Sequence, residues 1–154
     1  MSYLRNLLLL LLLQSVAFPL LACSQRPGQA PPTDRELFQK AKAVFVAHVY
    51  RTEEESRPIN GSEKSFAVVD GDFRVIEVLK GTPPANGKIT TFIPSPGNCA
   101  VMLMSGGDYI FFTQEGYDLV LWPDGSRPFM NPQATESKKF LETFRQMALE
   151  KNRP

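Results

Sequence analysis

Two cysteines, Cys23 and Cys99, have the widest chemistry open to them in this 154-residue chain. They allow one intramolecular disulfide, which would close a loop of roughly 75 residues and, in the chain-entropy account, contribute about 4–5 kcal/mol. Cys23 has a second option. Leu20-Leu21-Ala22-Cys23 is close to a bacterial lipobox, in which the cysteine sulfur becomes a diacylglyceryl thioether and the chain is cut just before it. The two fates exclude each other, because a thioether sulfur forms no disulfide. The disulfide is favoured, since lipidation would leave Cys99 unpaired in an exported chain. His48, the single histidine, has no Cys, His or Asp cluster near it in sequence and reads as a strand residue with an ordinary hydrogen bond. Glu53-Glu54-Glu55 reads as a solvated loop. Asn60-Gly61-Ser62 matches a glycosylation acceptor, a pattern without meaning in a bacterial host. No Ser-His-Asp set and no phosphate-cradling glycine loop is visible, so neither catalysis nor a cofactor is expected.

The elements that must carry these residues begin after a leader. Arg5, the apolar run Leu7–Leu13 and Ala22 ahead of a cut are the three parts of an export signal, and the run is too short to span a bilayer. Residues 1–22 are therefore set aside as a signal peptide, and an extracytoplasmic location is expected. About 130 residues remain, the size of one compact domain. The chain has 17 basic and 16 acidic residues, and losing Arg5 with the leader brings the balance to zero. That argues against a nucleic-acid partner, which needs a basic excess to neutralise phosphates.

Residues 23–32, with Pro27, Pro31 and Pro32, predict an extended segment, and 33–151 the folded domain. Thr33-Asp34-Arg35-Glu36 has the form of a capping box opening a short helix to about Lys42. Ala43–Tyr50 predicts a buried strand, Arg51–Ser65 an exposed loop, and Phe66–Leu79 a strand in which Asp70-Gly71 is either a hairpin turn or a bulge. Lys88–Ile93, Asp108–Thr113 and Tyr117–Trp122 predict further strands. Trp122, Phe129 and Met130 read as cover for the core. From about Thr135 to Lys151, Phe140, Leu141, Phe144, Met147 and Ala148 recur at helical spacing, predicting an amphipathic helix. The fold expected is mainly β with flanking helices: a small five-stranded barrel with this helix packed against it.

Several of these pieces, in order, resemble a family. They are Cys23 after the cut, Ala43-Val44-Phe45-Val46-Ala47-His48-Val49, Phe73–Gly81, and Cys99 followed by Gly106-Gly107-Asp108-Tyr109-Ile110-Phe111-Phe112. Together they resemble the N-terminal domain of the tissue inhibitors of metalloproteinases, with their bacterial relatives and the wider netrin-like group. The resemblance implies a five-stranded barrel of the OB type and a disulfide between Cys23 and Cys99. It also implies that the amine and carbonyl of Cys23 chelate the zinc of a target metalloproteinase while the Ser24 side chain enters its specificity pocket. A neutral amine and a carbonyl form a bidentate pair able to displace the zinc-bound water. Gln25 stands where the inhibitors have a second cysteine, and two further disulfides and the C-terminal inhibitor domain have no counterpart here. The partner expected is a zinc metalloproteinase or another extracytoplasmic protein, with a membrane engaged only if Cys23 is lipidated.

Overall fold

The computed structural model describes residues 30–59, 62–95, 99–114, 119–120, 122–129, 131 and 133–151. The predicted leader and residues 23–29 of the extended segment lie outside them, as do Asn60 and Gly61 of the glycosylation pattern; residues 30–32 carry no regular structure. Thr33 caps α1 (Asp34–Lys40) with both halves of the predicted box, Glu36 N donating to Thr33 Oγ1 and Thr33 N to Glu36 Oε2. The helix stops short of Lys42 because Ala41 is already extended, and the Lys80 ammonium donates to the carbonyls of Phe38, Gln39 and Ala41 at its C-terminal end.

Five strands follow: β1 (Ala43–Pro58), β2 (Ser65–Lys80), β3 (Asn86–Phe92), β4 (Gly107–Thr113) and β5 (Arg127–Phe129). They form one antiparallel sheet in the order β3-β2-β1-β4-β5. Among the described residues this sheet is not closed, so the mainly β fold expected from sequence is present and a barrel is not shown. Outside the sheet ladders Thr90 of β3 makes a parallel bridge with Leu119, where Val120 N donates to Thr90 O at 2.8 Å. Leu119 and Val120 belong to the predicted Tyr117–Trp122 strand, of which Tyr117, Asp118 and Leu121 lie outside the described residues, and Trp122, expected to end it, instead opens a short 3-10 helix, Trp122–Asp124.

Two further expectations are corrected. The predicted loop at Arg51–Ser65 is largely strand, since β1 runs on to Pro58 and pairs with β2 from Ser65 onward. Its charges neutralise one another along the strand, Arg51 with Glu53 at 2.6 Å and Arg57 with Glu55 at 3.3 Å, so a polar composition does not break the ladder. Asp70-Gly71 is neither a turn nor a bulge but continuous β2, paired with Glu53 and Thr52. The irregularities lie nearer the start of β1, at Val44/Phe45, Val46/Ala47 and Val49/Arg51, where they bend and coil the hairpin.

Alternation along β1 and β4 builds two cores. Phe45, Ala47, Val49, Tyr109 and Phe111 face one side with Phe73, Val69 and Ile89, with ring centroids of 5.3–6.1 Å among the aromatics. Val44, Val46, Ile110 and Phe112 face the other side, under α1 and α2 (Thr135–Lys151). Strands buried on both faces read as unbroken apolar runs, as these two do. The helix expected at 135–151 is present over those residues, with Phe144 fully buried. Phe129 is buried and meets Phe140 edge-on at 5.7 Å, the covering role expected of it; Met130 and the Trp122 side chain lie outside the described residues.

Candidate functional site

The residues to which the resemblance assigns zinc chelation and specificity, Cys23 and Ser24, lie outside the described residues. Cys99 is described and half-buried, and among the described residues no cysteine is free. Its surroundings are therefore the part of the expected site with geometry. From Cys99 the chain runs as an irregular strap to Gly106, bonded to Thr91 of β3 near its start and to Tyr50 and Val49 of β1 near its end. Val101 and Leu103 point into the core, 0% and 7% exposed, whereas Met102 and Met104 point outward, 57% and 48% exposed.

A strap outside any ladder must satisfy its backbone by other means. Val101 N donates to the Thr91 hydroxyl at 3.1 Å, and Thr91 is fully buried. Tyr109 holds the next turn from below: its hydroxyl accepts from Met104 N at 2.8 Å and donates to Met102 O at 3.0 Å. Burial pushes the Tyr109 phenol up from its ordinary value, with the hydrogen bond from Met104 opposing the shift, so the group stays protonated and able to donate. Ser105 Oγ donates to Tyr50 O and Gly106 N to Val49 O, both at 2.7 Å, which fastens the strap to β1. Two glycines make room for it. A Cβ on Gly71 would sit 3.2 Å from Leu103 Cδ1, and one on Gly107 would sit 2.8 Å from the Tyr109 ring.

Removing only the hydroxyl tests this bracing. Tyr109→Phe keeps the ring and orphans Met104 N and Met102 O, for an expected loss of about 1–2 kcal/mol of stability. Hydrogen exchange at Met104 should quicken far more than exchange in β1 or β4. Unchanged exchange at Met104 would remove the phenol from the account.

Beside the strap lies the twisted end of the β1–β2 hairpin. A groove of about 390 Å³ separates them, lined by Thr52, Glu53 and Glu54 of β1, Val69 of β2, Ile93 and Pro94 after β3, and Met102 and Leu103 of the strap. On the opposite face of the hairpin, Asp70, 4% exposed, accepts from Arg57 Nη2 at 2.9 Å and from the Thr90 hydroxyl at 2.7 Å, with Lys88 at 3.6 Å. Burial alone would raise its pKa, but the Thr90 and Arg57 hydrogen bonds and the two cations outweigh burial and hold it below the ordinary value.

The structure thus brings Glu53 and Glu54 close to the strap that begins at Cys99, two regions about 45 residues apart in sequence and joined by no local pattern. It does not bring His48 there. His48 Nδ1 lies 2.7 Å from Asp108 Oδ1 across the β1–β4 ladder, the hydrogen bond expected of a strand histidine. Thr91 and the Tyr109 hydroxyl went unread as bracing groups; the only signal was a polar atom in otherwise apolar strands. Among the described residues no group of three or more His, Cys, Asp or Glu stands close enough to hold a metal ion, and no helix is long and apolar enough to cross a membrane. Compared with known proteins, the chain matches no family model and no curated sequence.

Proposed function

We propose that this chain is an exported, non-catalytic binding module of the metalloproteinase-inhibitor and netrin-like type. In this reading the Cys23–Cys99 disulfide ties the first mature residue to the strap, leaving the Cys23 amine and carbonyl free to chelate the zinc of a target protease, with Ser24 directed into its specificity pocket. The observation that carries it is the bracing of the strap. Cys99 opens a segment held by Thr91, Tyr109, Ser105 and the backbone of Val49, a stiff mount for a chelating terminus. A ligand pair held rigid before binding loses little freedom on binding, which is where such a terminus gains affinity.

The fold reading that goes with it is an OB-type barrel. Supporting it are the strand order β3-β2-β1-β4 and the parallel bridge that Thr90 of the edge strand β3 makes with Leu119, from the segment after β4. Cys23 with a bare amine is the common requirement of both the chemistry and the mount.

Intact mass of the exported protein under non-reducing conditions is the first test, with the expected result an N-terminus at Cys23, no free thiol and no added lipid. Inhibition of a panel of zinc proteases is the second. A variant carrying one alanine ahead of Cys23 should lose inhibition while unfolding at the same denaturant concentration, because a peptide nitrogen is no longer an amine ligand. A diacylglyceryl mass on Cys23 would replace this reading with a membrane-anchored lipoprotein. Equal inhibition by the extended form would end the chelation.

A further inference from the structure

We infer that the groove between the β1–β2 hairpin and the Cys99–Gly106 strap is a receptor for one lysine or arginine side chain on the partner protein. That the partner is a zinc protease rests on the reading above; the chemistry of the groove does not. β1 carries three consecutive glutamates, Glu53, Glu54 and Glu55. Successive strand residues face opposite sides, so Glu53 and Glu55 share one face and Glu54 takes the other. On the shared face the chain supplies its own cations. Arg51 sits on Glu53 at 2.6 Å and within 3.8 Å of Asp72, and Arg57 bridges Glu55 at 3.3 Å and Asp70 at 2.9 Å. Glu54, exposed on the groove side, has neither an ion pair nor a hydrogen bond among the described residues.

The wall facing Glu54 is apolar. Met102 is 57% exposed there, held outward by the strap, with Ile93 and Pro94 beside it and Val69 below. Glu53 also borders the groove but is already paired with Arg51, so each class of occupant meets one carboxylate without a cation, Glu54, beside an apolar wall. A purely apolar side chain would strip water from Glu54 and return nothing. An acidic one would meet like charge. A lysine or arginine lays its methylene stem along Ile93 and Met102 and brings its charge to Glu54, so both walls are used. The methionine thioether and its three rotatable bonds let that wall adjust to either stem. The groove also adjoins the strap on which the proposed chelating terminus is mounted, so a protein docked at one reaches the other.

The test uses the mature protein, isotope-labelled, titrated at low ionic strength with Nα-acetyl-lysine amide and, as the uncharged control, Nα-acetyl-norleucine amide. The lysine probe should give saturable shifts at Glu54, Val69 and Met102, and the norleucine probe should not. Glu54→Gln should weaken the lysine probe about three- to fivefold, the size of an exposed ion pair, while Glu55→Gln, outside the groove, leaves it nearly unchanged. Shifts spread evenly over the acidic surface, or equal affinity in Glu54→Gln, would overturn the inference. So would a groove that accepts the probe only after Arg26→Gln, since the occupant would then be this chain's own N-terminal segment. The two failures are distinguishable: a protein that inhibits no zinc protease but keeps these shifts loses its partner and retains the groove, and one that inhibits without them loses the groove.

Discussion

Phe144→Ala is expected to lower the free energy of unfolding by about 3–5 kcal/mol. Phe144 is 0% exposed and is the one residue of α2 buried to that degree among those described. Its ring meets three others, Phe140 at 4.8 Å, Phe112 at 5.5 Å and Phe38 at 5.9 Å, and so joins α2 to the sheet and to α1 at once. Little else holds the helix as firmly. The fork from Arg145 to Glu77, both bonds 2.8 Å, and the pair Arg35–Glu150 at 2.7 Å lie at the surface, where such pairs contribute roughly 0–1 kcal/mol each. Truncating the ring removes its transfer energy and leaves a cavity that the aromatic neighbours, fixed to three different elements, cannot all move to fill. Denaturant unfolding followed by circular dichroism measures the loss, and Phe144→Leu should recover more than half of it. A loss under about 1 kcal/mol would mean that the helix is not seated on the sheet.

Asp70→Ala is expected to cost about 2–3 kcal/mol at neutral pH, and the cost should depend on pH in a defined direction. The substitution leaves the Thr90 hydroxyl and the Arg57 guanidinium without their acceptor at a site nearly closed to water. Arg57 is 39% exposed and recovers part of its hydration, which keeps the figure below that of a fully buried pair. Because the folded Asp70 titrates below its ordinary value, its stabilising contribution is complete above the unfolded value, about pH 4, and is lost as pH falls through the folded value. The difference between the native protein and the variant should thus be flat from neutral pH down to about pH 4 and shrink below it. A difference that grows on acidification would contradict the depressed carboxyl and its cause.

Much of the framework was legible because its signals are local. Thr33 and Glu36 are three residues apart and satisfy each other's backbone donors, so the start of α1 needs no tertiary partner to be read. Phe140, Phe144 and Met147 mark one face of α2 by spacing alone. The run Ala43–Val49 marked a strand for a different reason: both of its faces are buried, so nearly every residue is apolar. The latter half of β1 escaped the same reading, since Glu53, Glu55, Arg51 and Arg57 carry no apolar alternation. Their strand is held by the ladder to β2 and by ion pairs along its outer face.

What the sequence determined by itself, then, was the start of α1, the face of α2, the apolar strands and the chemistry open to Cys23 and Cys99. Those follow from side-chain period, capping and the limited reactions of a thiol. Tertiary structure decided the rest: the open sheet with its strand order, the strap braced by Thr91 and Tyr109, and a groove that holds Met102 with Glu54, which has no ion pair among the described residues. Each of these joins residues from different parts of the chain through bulges and turns that set which face a side chain takes. A shift of one position in the register would send Glu54 to the other side of the sheet, and no local pattern in the sequence records that choice.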